Sequence, residues 1–85
     1  MKAEELVKGC NYVCICTGPF EWNIISGIFT FNGQIDRRLE EQNEIHLGFL
    51  VPPELEQYEL WFCEEDVKLQ TREPTRVFSK TGSNV

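Results

Sequence analysis

The sequence lacks the residues and motifs on which most enzyme classes depend. Its 85 residues include one histidine, His46, and contain no Gly-x-Ser-x-Gly elbow, phosphate-binding loop or Gly-x-Gly-x-x-Gly motif. Nucleophilic catalysis needs a Ser or Cys beside a base and a third orienting group. The carboxylate pairs are adjacent in sequence, so on a strand they would point to opposite faces rather than across a cleft. We therefore expect a protein that is not an enzyme and needs no cofactor.

The sequence also has no long apolar run, and acids stand near its start where a secretory signal needs a basic region followed by apolar residues. We expect a cytoplasmic protein without membrane association. In that reducing compartment the cysteines, Cys10, Cys14, Cys16 and Cys63, are expected to be thiols.

A metal site is not expected from these cysteines. Cys14 and Cys16 are two residues apart on a predicted strand, which separates their side chains by about 6.4 to 6.8 Å. Structural zinc sites instead use Cys-x₂₋₄-Cys turns that bring two sulfurs to one point. We interpret these cysteines as small buried hydrophobic residues.

Charge of one sign dominates the middle of the chain. The formal net charge is −6, and residues 36–66 contain ten acids against Arg37 and Arg38, a local charge of −8. Residues 68–80 contain four basic residues against Glu73, a local charge of +3. A polyanion would be repelled by the acidic segment, so double-stranded nucleic acid is an unsuitable partner.

Short alternating segments separated by Gly, Pro and Asn predict a mostly β fold. We predict strands over residues 12–17, 23–31, 44–51, 58–63 and 66–70. Asn32-Gly33 predicts a tight hairpin turn, because a type I′ turn needs positive φ at both positions. Residues 34–43 are left open between strand, loop and short helix. Residues 1–71 are expected to form one small domain and residues 72–85 a flexible tail.

Four to five short strands of this kind fit a small open barrel or a strongly bent antiparallel sheet. Three segments carry a resemblance: Leu6-Val7-Lys8-Gly9, then Ser26-Gly27-Ile28-Phe29, then Phe62-Cys63-Glu64-Glu65-Asp66-Val67-Lys68-Leu69. Their layout resembles that of the small SH3-like barrel proteins of bacteria and phages. The resemblance spans roughly residues 6–70 and implies a small binding module, without the aromatic ligand-binding motif of eukaryotic SH3 domains.

We predict a non-catalytic protein-binding module with a basic protein partner. Loop aromatics and an acidic strip would form the binding surface, because exposed aromatics anchor interfaces and acids attract basic partners. The predicted residues are Phe20, Trp22, Glu54, Glu56, Glu59, Glu64, Glu65 and Asp66. The specific version of this hypothesis is a phage or mobile-element accessory protein that inhibits a host enzyme. The alternative for the acids is a face that serves only to keep the protein soluble, which is what most charge runs do.

The alternative prediction is a protein that binds a small ligand. A nucleotide or metabolite would stack on Trp22, Phe20 or Tyr12, with loop polar groups fixing its orientation. Trp61 alternates with buried-type neighbours and is expected to belong partly to the core. The oligomeric state is not predicted by the sequence.

Overall fold

The structure is a computed structural model, and it describes residues 1–16, 25–55 and 59–80. It is a mostly β, antiparallel fold. The strands are β1 (Asn11–Ile15), β2 (Ile25–Asp36), β3 (His46–Phe49), β4 (Leu60–Cys63), β5 (Val67–Thr71) and β6 (Arg76–Lys80). Short 3₁₀ turns lie at Ala3–Glu5, Glu40–Gln42, Pro53–Leu55 and Glu64–Asp66. The prediction of a mostly β, bent antiparallel sheet is confirmed.

The strand order is β4-β3-β2-β1-β5, and β6 pairs with β2 off this path. The long strand β2 belongs to both halves of the sheet. Its first half pairs with β1 and β6, and its second half pairs with β3. The register between β2 and β3 shifts between Phe31 and Ile35, so β2 is irregular where it passes from one half to the other.

The predicted hairpin turn at Asn32-Gly33 is wrong, because β2 continues through these residues to Asp36. Gly33 has a φ of +90°, but Asn32 is not among the residues with positive φ, so the type I′ geometry is not formed. The Asn32 side chain instead accepts a hydrogen bond of 2.8 Å from the Gln34 backbone N–H. The positive φ of Gly33 therefore belongs to the irregular part of β2, and the chain reverses direction only after Asp36.

The stretch at residues 34–43 combines all three alternatives, strand, loop and short helix. It begins as the end of β2, turns where the Asp36 carboxylate accepts a 3.0 Å hydrogen bond from the Arg38 backbone N–H, and continues into the 3₁₀ turn Glu40–Gln42. Asn43 then adopts a left-handed conformation with φ 62°. Asn tolerates that conformation because its short polar side chain bonds locally.

The predicted strands otherwise correspond to β1 to β5, but β2 continues past its predicted end at residue 31 and β3 is shorter than the predicted 44–51. Residues 17–24 and 56–58 lie outside the described residues. The strand β6 was not predicted. It occupies part of the segment expected to be a flexible tail, and residues 81–85 of that segment lie outside the described residues.

The core is formed by one face of the bent sheet and is rich in aromatic rings. Phe29 and Phe62 stack with ring centroids 5.8 Å apart, and Phe49 meets Phe62 edge to face at 5.6 Å. Tyr12, which is fully buried, meets Phe49 at 6.5 Å. Aromatic contacts of this geometry add to the free energy gained from burying their area. The opposite face of the sheet is left to form the outer surface.

Candidate interaction surface

The predicted acidic residues fall into three groups. Glu54, Glu59 and Glu65 are exposed to solvent. Glu64 is half-buried, and its carboxylate accepts a 2.6 Å hydrogen bond from the Ala3 backbone N–H. Asp66 is only 7% exposed, and its carboxylate accepts a hydrogen bond from the Cys63 backbone N–H at 3.3 Å.

The Glu64 carboxylate thus holds the turn between β4 and β5 to the N-terminal segment, and the Asp66 carboxylate closes the turn locally. The N-terminal ammonium group donates to the backbone oxygens of Glu64 and Val67 at 2.7 Å each, which fastens the same turn. The exposed acids remain candidates for contact with a partner. Phe20, Trp22 and Glu56, the other predicted site residues, lie outside the described residues.

Trp61 is an aromatic residue that the structure places at the surface beside one of these acids, Glu59. It lies on β4 directly opposite Gly48 of β3, between the buried residues Leu60 and Phe62, and is 39% exposed. The expectation that Trp61 belongs partly to the core therefore underestimates its exposure. The alternation of the strand carried the signal, because Leu60 and Phe62 point inward and their neighbour between them must point outward.

The surroundings of Trp61 are polar and acidic. Its indole N–H donates a 3.1 Å hydrogen bond to the Glu59 carboxylate. Asn32 and Gln34 of β2 bond to each other at 3.0 Å and lie against Gly48, where a Cβ would come within 2.9 Å of the Asn32 side chain. Gly48 thus leaves room for the Asn32 amide on the outer side of the sheet. We name Trp61, Glu59, Asn32 and Gln34 the acidic tryptophan face.

The two arginines of this half of the molecule are paired with acids other than Glu54 and Glu59. Arg37 is 2.9 Å from Glu40, and Arg38 is 2.6 Å from Asp36. Hydrogen bonds from the Arg38 guanidinium and from the Arg38 backbone N–H lower the pKa of Asp36 to about 2. Within residues 1–16, 25–55 and 59–80, Glu54 and Glu59 form no ion pair with a lysine or arginine. The region therefore keeps a negative potential that attracts basic groups.

The clefts near these residues give limited support to a small-ligand site. A groove of about 140 Å³ lies beside Trp61 and is lined by Asn32, Gln34 and Glu59 among others. Small-molecule sites typically have volumes of roughly 300 to 1,000 Å³. A cleft of about 310 Å³ lies between the N-terminal turn and the end of β4, and the Glu64 carboxylate on its wall is already bonded to Ala3.

Tyr12 cannot stack a ligand in this structure. It is fully buried, and its hydroxyl accepts a 2.7 Å hydrogen bond from the Val7 backbone N–H. The alternative prediction that placed a ligand on Tyr12 is therefore wrong for that residue. Phe20 and Trp22, its other proposed stacking residues, lie outside the described residues.

The surroundings of two of the four free cysteines, Cys14 and Cys63, disfavour the thiolate. Cys14 is fully buried, and burial together with the nearby Asp66 raises its pKa to about 12. Burial and the acids around Cys63 raise its pKa to about 11. Among the residues that the structure describes, no group of three or more His, Cys, Asp or Glu side chains is arranged to hold a metal ion. A neutral thiol is a poor nucleophile and a poor metal ligand.

Comparisons with known proteins give no match: no protein-family model, no curated protein and no solved structure matches the chain. The function is therefore argued from the geometry described above. Within the described residues, none of the helical segments is long and apolar enough to span a membrane.

Proposed function

We propose that this protein is a non-catalytic binding module whose acidic tryptophan face binds a basic segment of a protein partner. The proposal rests on one observation: Trp61 is 39% exposed beside the Glu59 carboxylate, in a segment with a local charge of −8. An arginine or lysine side chain on that surface meets an aromatic ring and a carboxylate together. The ring contributes a cation–π contact and the carboxylate an ion pair.

The energetic weight of such a surface lies in the aromatic residue. Interface hot spots are enriched in Trp, and truncating one typically costs about 2 kcal/mol or more of binding free energy. The acids act mainly on the rate of encounter and on its dependence on salt. An inhibitor that docks on the basic surface of a host enzyme is the role that we propose for such a face.

The proposal is tested by titrating an oligoarginine peptide and an oligolysine peptide into the protein by calorimetry at low and high salt. We expect Trp61→Ala to weaken binding at least tenfold, because the hot-spot cost above exceeds the 1.4 kcal/mol that corresponds to a factor of ten. Glu59→Gln should weaken binding several-fold and flatten its salt dependence. Glu73→Gln, which removes an acid from the β5–β6 connection instead, is the matched control and should bind as the natural sequence does.

Two results would refute the proposal. One is the absence of binding to either peptide at low salt. The other is equal binding by Trp61→Ala and the natural sequence, since that would reduce the interaction to a diffuse attraction between opposite charges. Far-ultraviolet circular dichroism of each variant establishes that a loss of binding is not a loss of fold.

A further inference from the structure

The outer face of the other half of the sheet carries an apolar row that crosses four strands. Residues that pair directly across antiparallel strands share a face. Val13 of β1 pairs with Leu69 of β5 on one side and with Ile28 of β2 on the other. Ile28 in turn pairs with Arg76 of β6. The fully buried Tyr12 and Cys14 flank Val13 and point to the core, so this row points outward.

The row is a small hydrophobic cluster separate from the core. Ile28 is only 1% exposed, yet it is absent from the cluster of core residues that contains its neighbour Phe29. Around it, Ile15, Leu69 and Phe78 are 39%, 53% and 44% exposed. Apolar side chains of this size grouped on one surface are typical of an interaction site.

The strands β5 and β6, which carry part of this surface, and the connection between them contain more basic than acidic residues. The Arg76 guanidinium lies 4.9 Å from the centre of the Phe78 ring, which places a cation directly on the apolar row. Lys68 and Arg72 are also exposed, and the single acid of residues 67–80, Glu73, lies 3.8 Å from Arg76. We name Val13, Ile15, Leu69, Arg76 and Phe78 the basic apolar face.

We propose that the basic apolar face of one copy of this chain docks on the acidic tryptophan face of a second copy. This inference rests on the proposed function, because it names a second copy as one source of the basic partner. The acidic tryptophan face carries the Glu59 carboxylate and the basic apolar face carries the Arg76 guanidinium, and each face has exposed apolar or aromatic side chains that contact would remove from water. Two copies of the same basic apolar face would instead bring like charges together, which opposes a symmetric dimer through that face.

Such a contact is heterologous, since different surfaces of the two copies meet. A heterologous contact does not end at a dimer: it continues into an open chain or closes as a ring. The mean mass in solution should therefore rise with concentration from the monomer value of 9.9 kDa past the dimer. It should fall again with added salt, because screening over about 10 Å at 0.1 M weakens the attraction between exposed charges.

The experiment is sedimentation velocity on the full chain over a wide concentration range at low salt. Leu69→Glu blocks the basic apolar face and leaves the acidic tryptophan face intact. Trp61→Ala does the reverse. Each variant alone should remain a monomer, and an equimolar mixture should form a dimer and stop there, because each chain keeps one complementary face. Val7→Glu is the matched control for the introduced acid, since Val7 is 56% exposed and lies outside both faces; it should associate as the natural sequence does.

Any result other than this self-association overturns the inference. A natural chain that stays monomeric at every concentration but binds basic peptides through Trp61 would leave the proposed function standing and remove a second copy as partner. Self-association by Trp61→Ala alone would indicate a symmetric contact instead. Binding of oligothymidylate or of phosphatidylserine vesicles by the monomer, lost in Leu69→Glu, would assign the face to an anionic polymer or lipid surface.

Discussion

Replacing Gly27 by alanine tests how closely β6 is packed on β2. Gly27 pairs with Cys14 of β1 and Val77 of β6, and the β2–β6 register shifts between Ser26 and Gly27. That irregularity places the Arg76 carbonyl oxygen over Gly27, where an added Cβ would overlap it. The same Cβ would lie 2.8 Å from the ring tip of Phe29. The overlap with a backbone atom cannot be relieved by rotating a side chain, so β6 must move.

The cost follows from the two ways in which the strand can respond. Forcing one extra carbon into a packed site typically costs about 1 to 3 kcal/mol. Detaching β6 instead sacrifices the backbone hydrogen bonds of a ladder with four paired positions, each worth about 1 kcal/mol net. The chain takes the cheaper response, and because the overlap is with a backbone oxygen we expect the upper part of that range, a fall of about 2 to 3 kcal/mol in the free energy of unfolding. For a domain of this size that corresponds to a decrease in Tm of roughly 8 to 24 °C.

The measurement is urea denaturation followed by circular dichroism, combined with amide hydrogen exchange. Exchange should accelerate in β6, at Val77 and Phe78, and remain slow at Leu47 and Phe62 in the other half of the sheet. Gly9→Ala is the control, because Gly9 has a φ of +91° but nothing within 4 Å of an added Cβ; it should cost only about 1 kcal/mol of backbone strain. An unchanged free energy of unfolding in Gly27→Ala, with β6 still protected, would refute the close approach.

Two further predictions concern buried groups. Tyr12→Phe removes the hydroxyl that accepts the 2.7 Å bond from the Val7 N–H, and we expect a loss of about 1 kcal/mol in a denaturant titration; an unchanged midpoint would contradict this role. Burial raises the pKa of Cys14 from 9.0 to about 12. As the pH rises, the unfolded chain therefore loses the Cys14 proton before the folded chain does. The stability that the neutral Cys14 thiol contributes is complete below pH 9 and is lost as the pH rises towards 12. The decline in stability at alkaline pH should be shallower in Cys14→Ala. In the natural sequence, iodoacetamide at mildly alkaline pH should label Cys14 only as fast as the protein unfolds. Rapid labelling of Cys14 in the folded chain would contradict its burial.

The sequence predicted the strands whose side chains alternate, because alternation is a direct consequence of one face being buried. In β3, Leu47 and Phe49 are buried, as the alternation predicts. In β1 both faces are apolar in the sequence, so the period of two residues does not separate the buried Tyr12 and Cys14 from the exposed Ile15.

Three features depended on distant contacts that a sequence pattern does not contain. Asn32-Gly33 has the composition of a hairpin turn, but pairing of the second half of β2 with β3 keeps the chain extended there. The strand β6 carries turn-forming neighbours and is held by its pairing with β2 and by the room over Gly27. The acids around Glu64 look alike in sequence, and only the backbone groups that they meet separate the buried Asp66 from the exposed Glu65.

The strand β2 determines how the two proposed faces relate to one core. Its first half supports the basic apolar face through Ile28, and its second half supports the acidic tryptophan face through Asn32 and Gln34. The inner side chains of both halves, Phe29 and Phe31, belong to the same core cluster. A substitution on the inner side therefore destabilises both faces together, because Phe29 and Phe31 pack in that one cluster. Substitutions on the outer side change one face at a time, so a loss of binding that affects only one partner can be attributed to contact with that partner rather than to loss of the fold.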